Sequence, residues 1–189
     1  MNAFVALMLL APSWNLSVET DPAFWVGTAS HGAAVDVNVD VTLAVVPRLR
    51  FGVLAWSGRW QGAFARAAVL PASFREADWA VRWSGAGLEA QYQLLRRHGR
   101  GGLSPGLRVQ WSHFDFDRGG PRLAQADHFV LTPQVGYQWF PFTDRGVYLL
   151  PWVGVQLPLL GTRSVATAEG QRDSRKILPV ATVHVGWTF

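Results

Sequence analysis

The 189-residue chain contains no cysteine, so its fold depends on no disulfide and it offers no thiolate nucleophile or ligand. It also lacks a long hydrophobic run. The longest apolar stretch is Ala3 to Ala11, far short of the ~20 residues with which a helix crosses a bilayer. A basic groove is missing too. The formal charge is +4, but the basic residues are scattered and the one tight cluster, Arg96-Arg97-His98-Gly99-Arg100, reads as a charged turn. A nucleic-acid partner is therefore not expected. What the chain does have is 10 Trp, 11 Phe and 19 Gly, within a composition that is 49% hydrophobic. That load of aromatics and breakers suits strands, tight turns and interfacial aromatic belts better than it suits a soluble helical protein.

Residues 1–13, Met1-Asn-Ala-Phe-Val-Ala-Leu-Met-Leu-Leu-Ala-Pro-Ser13, have the apolar core of an export signal. Ala11 and Ser13 are small residues at the spacing a signal peptidase prefers. The expectation is a signal peptide, shortened at its basic end, followed by a single domain over 14–189. A buried N-terminal segment is the alternative.

From Trp14 onward the dominant period is two. Between Ala34 and Val46, Val35, Val37, Val39, Val41, Leu43 and Val45 fall on one face, and Asp36, Asn38, Asp40 and Thr42 on the other. A strand separates these sets and a helix mixes them. The same alternation marks Trp14 to Glu19, His128 to Trp139 and Ala181 to Phe189. Three short connections (Pro47-Arg48, Arg96–Gly102 and Pro141–Gly146) alternate with four long ones near 21–32, 58–80, 115–127 and 161–176. The pattern predicts eight strands, near 14–20, 33–46, 49–57, 82–95, 103–114, 128–140, 147–159 and 178–189. Most are long enough to span a bilayer at a tilt. Two features sit awkwardly. The fourth strand keeps its phase only with a bulge at Gly85-Ala86-Gly87 or if Arg82 and Ser84 project above the membrane. Pro133 and Pro151 each remove a ladder hydrogen bond inside a predicted strand.

A soluble ligand-binding barrel would share this strand pattern, so the polarity of the two faces decides. The apolar face carries Trp, Tyr and Phe at strand ends and uncharged Val, Leu and Ala between them, as a lipid-facing band would. The polar face carries both signs: Glu19, Asp36, Asp40 and Glu89 against Arg50, Arg108, His128 and His184. Charges inside a narrow lumen must pair, and these predict a polar network that plugs the interior.

The C-terminal stretch Ala181-Thr-Val-His-Val-Gly-Trp-Thr-Phe189 resembles the terminal signal of bacterial outer-membrane barrels, with Val183, Val185 and Trp187 at alternate positions before a terminal aromatic, Phe189. Across most of its length the chain resembles the small eight-stranded members of that class, of which Gly136-Tyr-Gln-Trp-Phe-Pro-Phe142 is also typical. The resemblance implies an all-β, transmembrane, antiparallel up-and-down barrel in the outer membrane of a Gram-negative envelope. Short turns and both termini would be periplasmic, and the longer loops extracellular. It implies outer-membrane lipids and lipopolysaccharide as surroundings, and the barrel assembly machinery as a partner during biogenesis.

Some barrels of this size remodel lipid A, so a nucleophile with a base is the feature to seek. Ser30-His31 and Ser112-His113 are adjacent pairs, whose side chains point to opposite faces of a strand. No His-x-Ser spacing occurs, and the resemblance to lipid A deacylases or palmitoyltransferases fails at the motif. His113, Asp115 and Asp117 share one face but are too few and too mixed for a cation site. No cofactor or metal is expected. The second long loop is unusually apolar, and Trp60, Phe64, Leu70, Phe74 and Trp79 form the candidate binding surface. The expected role is non-enzymatic, structural or interacting through the loops. A conduit for small hydrophobic molecules and a lipid A-modifying enzyme are the alternatives.

Overall fold

Alternating residues pair as antiparallel strands in the computed structural model, which describes residues 15–22, 35–42, 48–61, 80–94, 101–117, 122, 124–142, 146–167, 170–173 and 177–189. The strands are β1 (Asn15–Thr20), β2 (Val35–Thr42), β3 (Leu49–Gln61), β4 (Ala80–Tyr92), β5 (Gly101–Asp117), β6 (Ala124–Trp139), β7 (Gly146–Gly161), β8 (Ser164–Thr167), β9 (Gly170–Asp173) and β10 (Leu178–Thr188). All but β8 and β9 form a closed barrel in the order β1-β10-β7-β6-β5-β4-β3-β2. The sheet is all-β, antiparallel and up-and-down, as the period-two pattern requires. The expected signal segment, residues 1–13, lies outside the described residues.

Several strands run further than their sequence pattern suggests. Ladder hydrogen bonds continue past the turn residues because the neighbouring strand still offers partners. Thus β3 passes Gly58 to reach Gln61, where it faces Ala80. Trp60, expected in a loop, is consequently a strand residue opposite Val81. Similarly, β7 extends to Gly161, and the connection expected to be irregular after it folds into the β8–β9 hairpin. The bulge expected at Gly85-Ala86-Gly87 does not form. Both ladders of β4 are continuous there, and Arg82 stays on the outward face opposite Asp115.

Burial follows the pleat. In β6, His128, Val130, Thr132, Gln134, Gly136 and Gln138 are buried, while Phe129, Pro133, Val135, Tyr137 and Trp139 are exposed. A closed sheet has only an inside and an outside, so the buried phase is the interior. One glycine permits a close approach on its inner face: Gly186 pairs with Tyr148 of the neighbouring strand, and a Cβ there would overlap the tyrosine ring.

Candidate functional site: the barrel interior

The interior is layered along the barrel axis. Towards the short turns, Phe140, Tyr148 and Leu150 form a buried apolar cluster, with Phe140 and Tyr148 rings 5.3 Å apart. Towards the long connections, Trp56 meets Trp83 edge-on at 5.6 Å, and Trp83 stacks on Phe114 at 5.8 Å. Phe114 in turn lies 5.5 Å from His128. The polar face read from the sequence is therefore capped by aromatic rings that share its phase. Alternation places a residue inside without deciding whether it is polar.

Two carboxylates organise the middle layer. Glu19 is 1% exposed and accepts from three strands. Arg50 Nη2 donates to its Oε1 at 2.7 Å, and the Tyr148 hydroxyl donates to the same oxygen at 2.5 Å. His184 Nδ1 lies 3.0 Å from the other oxygen, Oε2. Arg50 also donates to Ser17 Oγ at 3.2 Å. The second centre is Glu89, 3% exposed. Its Oε2 accepts from Arg108 Nε at 3.1 Å, from Arg108 Nη2 at 2.9 Å and from Gln134 Nε2 at 3.3 Å. Its Oε1 accepts from Gln91 Nε2 at 2.9 Å. A buried ion pair offsets its desolvation only when further hydrogen bonds occupy the remaining lone pairs, and both carboxylates meet that condition.

Trp152 joins the two centres. Its ring lies 4.9 Å beneath the Arg108 guanidinium, and its indole N–H donates to His184 Nε2 at 2.9 Å. An indole nitrogen only donates. His184 Nε2 must therefore accept, and the ring proton sits on Nδ1, directed at Glu19. One chain of contacts thus runs from Gln91 and Gln134 through Glu89, Arg108, Trp152, His184 and Glu19 to Arg50.

Of the residues expected in the lumen, Glu19, Arg50, Glu89, Arg108 and His184 come together in this chain. His128 is buried near the long connections, where its Nε2 donates to the Thr162 carbonyl at 3.2 Å. Asp36 and Asp40 occupy β2 positions opposite Trp56 and Gly52, and their side chains lie outside the described residues. Phe64, Leu70, Phe74 and Trp79 of the apolar loop, and Ser30-His31, lie outside them as well. Val183, Trp187 and Phe189 are exposed on the outer face of the C-terminal segment, and Val185 shares their phase. The sequence pattern marks neither Tyr148 nor Trp152 as a lumen residue. In β7 both phases are apolar, so alternation there gives no sign of which face holds hydrogen bonds.

Catalytic spacing fares as the strand argument requires. Ser112 points inward, 1% exposed, and receives a hydrogen bond from Gln110 at 3.4 Å. His113 points outward, its Nδ1 2.8 Å from Asp127 and its Nε2 3.3 Å from Asp115. Asp115 also pairs with Arg122 at 3.1 Å, and Asp117 with Arg59 at 2.6 Å. The acidic residues at this rim are thus engaged by histidine and arginine side chains of the same rim. Among the described residues no group of His, Asp and Glu is placed to hold a metal ion.

No protein-family model matches the chain, and no curated protein matches it. Among solved structures, the chain is similar to a major outer membrane protein from Thermus thermophilus. The TM-score is 0.53 at 13% identity, over 94% of this chain and 100% of the other. That likeness is one of fold.

Proposed function

We propose that the chain is an integral outer-membrane β-barrel of eight strands, non-enzymatic, with an interior plugged by the Glu19 and Glu89 networks. The observation that carries this reading is the inversion of polarity. Large apolar side chains cover the outside: Phe51 is 43% exposed, Val53 59%, Leu88 63%, Leu107 44% and Val153 54%. Paired charges occupy the inside. In water such a surface would be a continuous adhesive patch, whereas in a bilayer it is the required contact. Trp111 and Phe129 mark one edge of the apolar band, Tyr137, Trp139 and Trp187 the other, as aromatic girdles do. The fold likeness to an outer membrane protein agrees with this placement.

An interior filled by Trp152, Tyr148, Trp83 and the charge pairs favours a structural role, or one exercised by the loops, over an ion-conducting one. Ser112 and His113 turn to opposite faces of β5, which supports a non-enzymatic role. The C-terminal segment ending at Phe189 serves as the assembly signal, and the surroundings are outer-membrane lipid and lipopolysaccharide. Heat-modifiable gel migration of the protein from fractionated envelopes tests the proposal. A band in the outer-membrane fraction whose mobility changes on boiling is the expected result. Recovery as a soluble protein that needs no detergent would overturn it.

A further inference from the structure

Among the described residues, seven of the barrel's eight seams have uninterrupted registers, and one does not. Between β6 and β7 the pairs run Val130↔Pro158 and Leu131↔Leu157, resume at Gln134↔Gly154 to Gly136↔Trp152, and resume again at Trp139↔Leu149. A register shift falls between Phe129 and Val130. Each gap contains a proline. Pro133 would face Val155 in the first, and Pro151 would face Tyr137 in the second. On their other sides the same prolines are fully paired, Pro133 with Leu107 and Pro151 with Val183. Both prolines therefore present their missing N–H to this one seam, which leaves the carbonyls of Val155 and Tyr137 without the donor that the ladder supplies elsewhere.

Over the Pro133 gap, on the outer face, lies a groove of about 660 Å³. Pro133 and Val135 of β6, Val153 and Val155 of β7, and Pro179 and Ala181 of β10 line it. These are small outward residues midway between the two aromatic girdles. Behind the seam, the Trp152 ring lies against Gly154, and Leu150 with the Trp152 Cβ against Gly136, so the groove opens only outward.

We infer that this groove, over the proline-broken seam, binds a single hydrocarbon chain of a bilayer amphiphile that carries a hydroxyl, the hydroxyl donating to the Val155 carbonyl. The inference rests on the membrane placement proposed above. The apolar lining of small outward side chains selects a hydrocarbon chain, and in that band no water reaches the carbonyl. A donor on the chain is the complement that the broken ladder leaves open. An unsubstituted chain would fill the groove and leave the carbonyl bare.

The test uses the full chain in detergent micelles, with heat-modifiable migration confirming the fold of each variant. Failure of the wild type to fold there would count against the membrane placement itself rather than against the groove. Hydroxymyristic acid and myristic acid are the probes, and occupancy is read by native mass spectrometry. Wild type is expected to bind one chain per barrel, with about tenfold preference for the hydroxylated acid, as one additional hydrogen bond provides. Pro133→Val, which restores the ladder N–H, should keep binding but lose the preference. Ala181→Phe, or Val153→Phe should the first fail to fold, should fill the groove and abolish binding of both acids. Equal affinity for the two acids in wild type would overturn the inference, as would a preference that survives in Pro133→Val. Binding indifferent to the groove-filling changes would do the same. So would a dimer that those changes dissociate, which would show the face to be covered by a second copy.

Discussion

The indole of Trp152 and the imidazole of His184 stand edge to face, 5.7 Å between centroids, joined by an N–H···Nε2 hydrogen bond of 2.9 Å. Because the indole donates, the imidazole must direct its single proton at Glu19. A ring from β7 thereby sets the tautomer of a histidine on β10, which in turn occupies one oxygen of a carboxylate on β1. Trp152→Phe should keep the ring beneath Arg108 but remove this donor, at a cost of about 1 kcal/mol. Nitrogen NMR of His184 in micelles checks it: the Nε2 resonance of wild type should show a hydrogen-bonded acceptor, and that signature should vanish in the variant.

Removing one member of a buried pair leaves the other charged and unsolvated. Glu89→Ala strands Arg108, and the expected loss is about 3–5 kcal/mol. The double variant Glu89→Leu with Arg108→Met removes both charges at similar volume and should recover most of that loss. Urea unfolding in lipid vesicles, followed by tryptophan fluorescence, measures both. A double variant as unstable as Glu89→Ala would mean that Arg108 is not the group left stranded.

Gly186 gives Tyr148 the space in which its hydroxyl reaches Glu19. Gly186→Ala should displace the phenol ring and destabilise the barrel by about 1–3 kcal/mol, the usual range for overpacking. Combining it with Tyr148→Leu should relieve the overlap, while leaving Glu19 one donor short. The unfolding midpoints of the single and double variants separate these two effects.

The sign of the outer face is open to a direct test at Leu107, 44% exposed in the middle of β5. Leu107→Arg should cost about 2–4 kcal/mol if that position faces the bilayer midplane. On a water-facing surface it would be within about 0.5 kcal/mol of neutral. Unfolding in vesicles distinguishes the two magnitudes.

Shortening the chain by its last residue tests the terminal segment. Loss of Phe189 should lower the amount of heat-modifiable protein in the outer-membrane fraction, while refolding of the purified chain in detergent stays nearly unchanged. Equal loss in both assays would assign Phe189 to stability rather than to assembly.

Much of this protein is legible in its sequence because a strand has a period of two. The alternation of Val35 to Thr42 and of His128 to Trp139 settles that these segments are strands. It also settles which phase is apolar, and for β6 and β10 that phase is the one the barrel turns outward. The charges Glu19, Arg50, Glu89, Arg108 and His184 could be placed on a common face for the same reason. Their partners could not. Glu19 meets Arg50, Tyr148 and His184 across 31, 129 and 165 positions of chain, and alternation says nothing about neighbours around a ring. Strand order and register decide that, through backbone hydrogen bonds that are almost indifferent to side-chain identity. The prolines show the same division. The sequence determined that Pro133 and Pro151 would each withdraw a ladder donor. Only the closed sheet, with β6 beside β7 and each proline's missing N–H turned towards that contact, decided that both losses fall on a single seam.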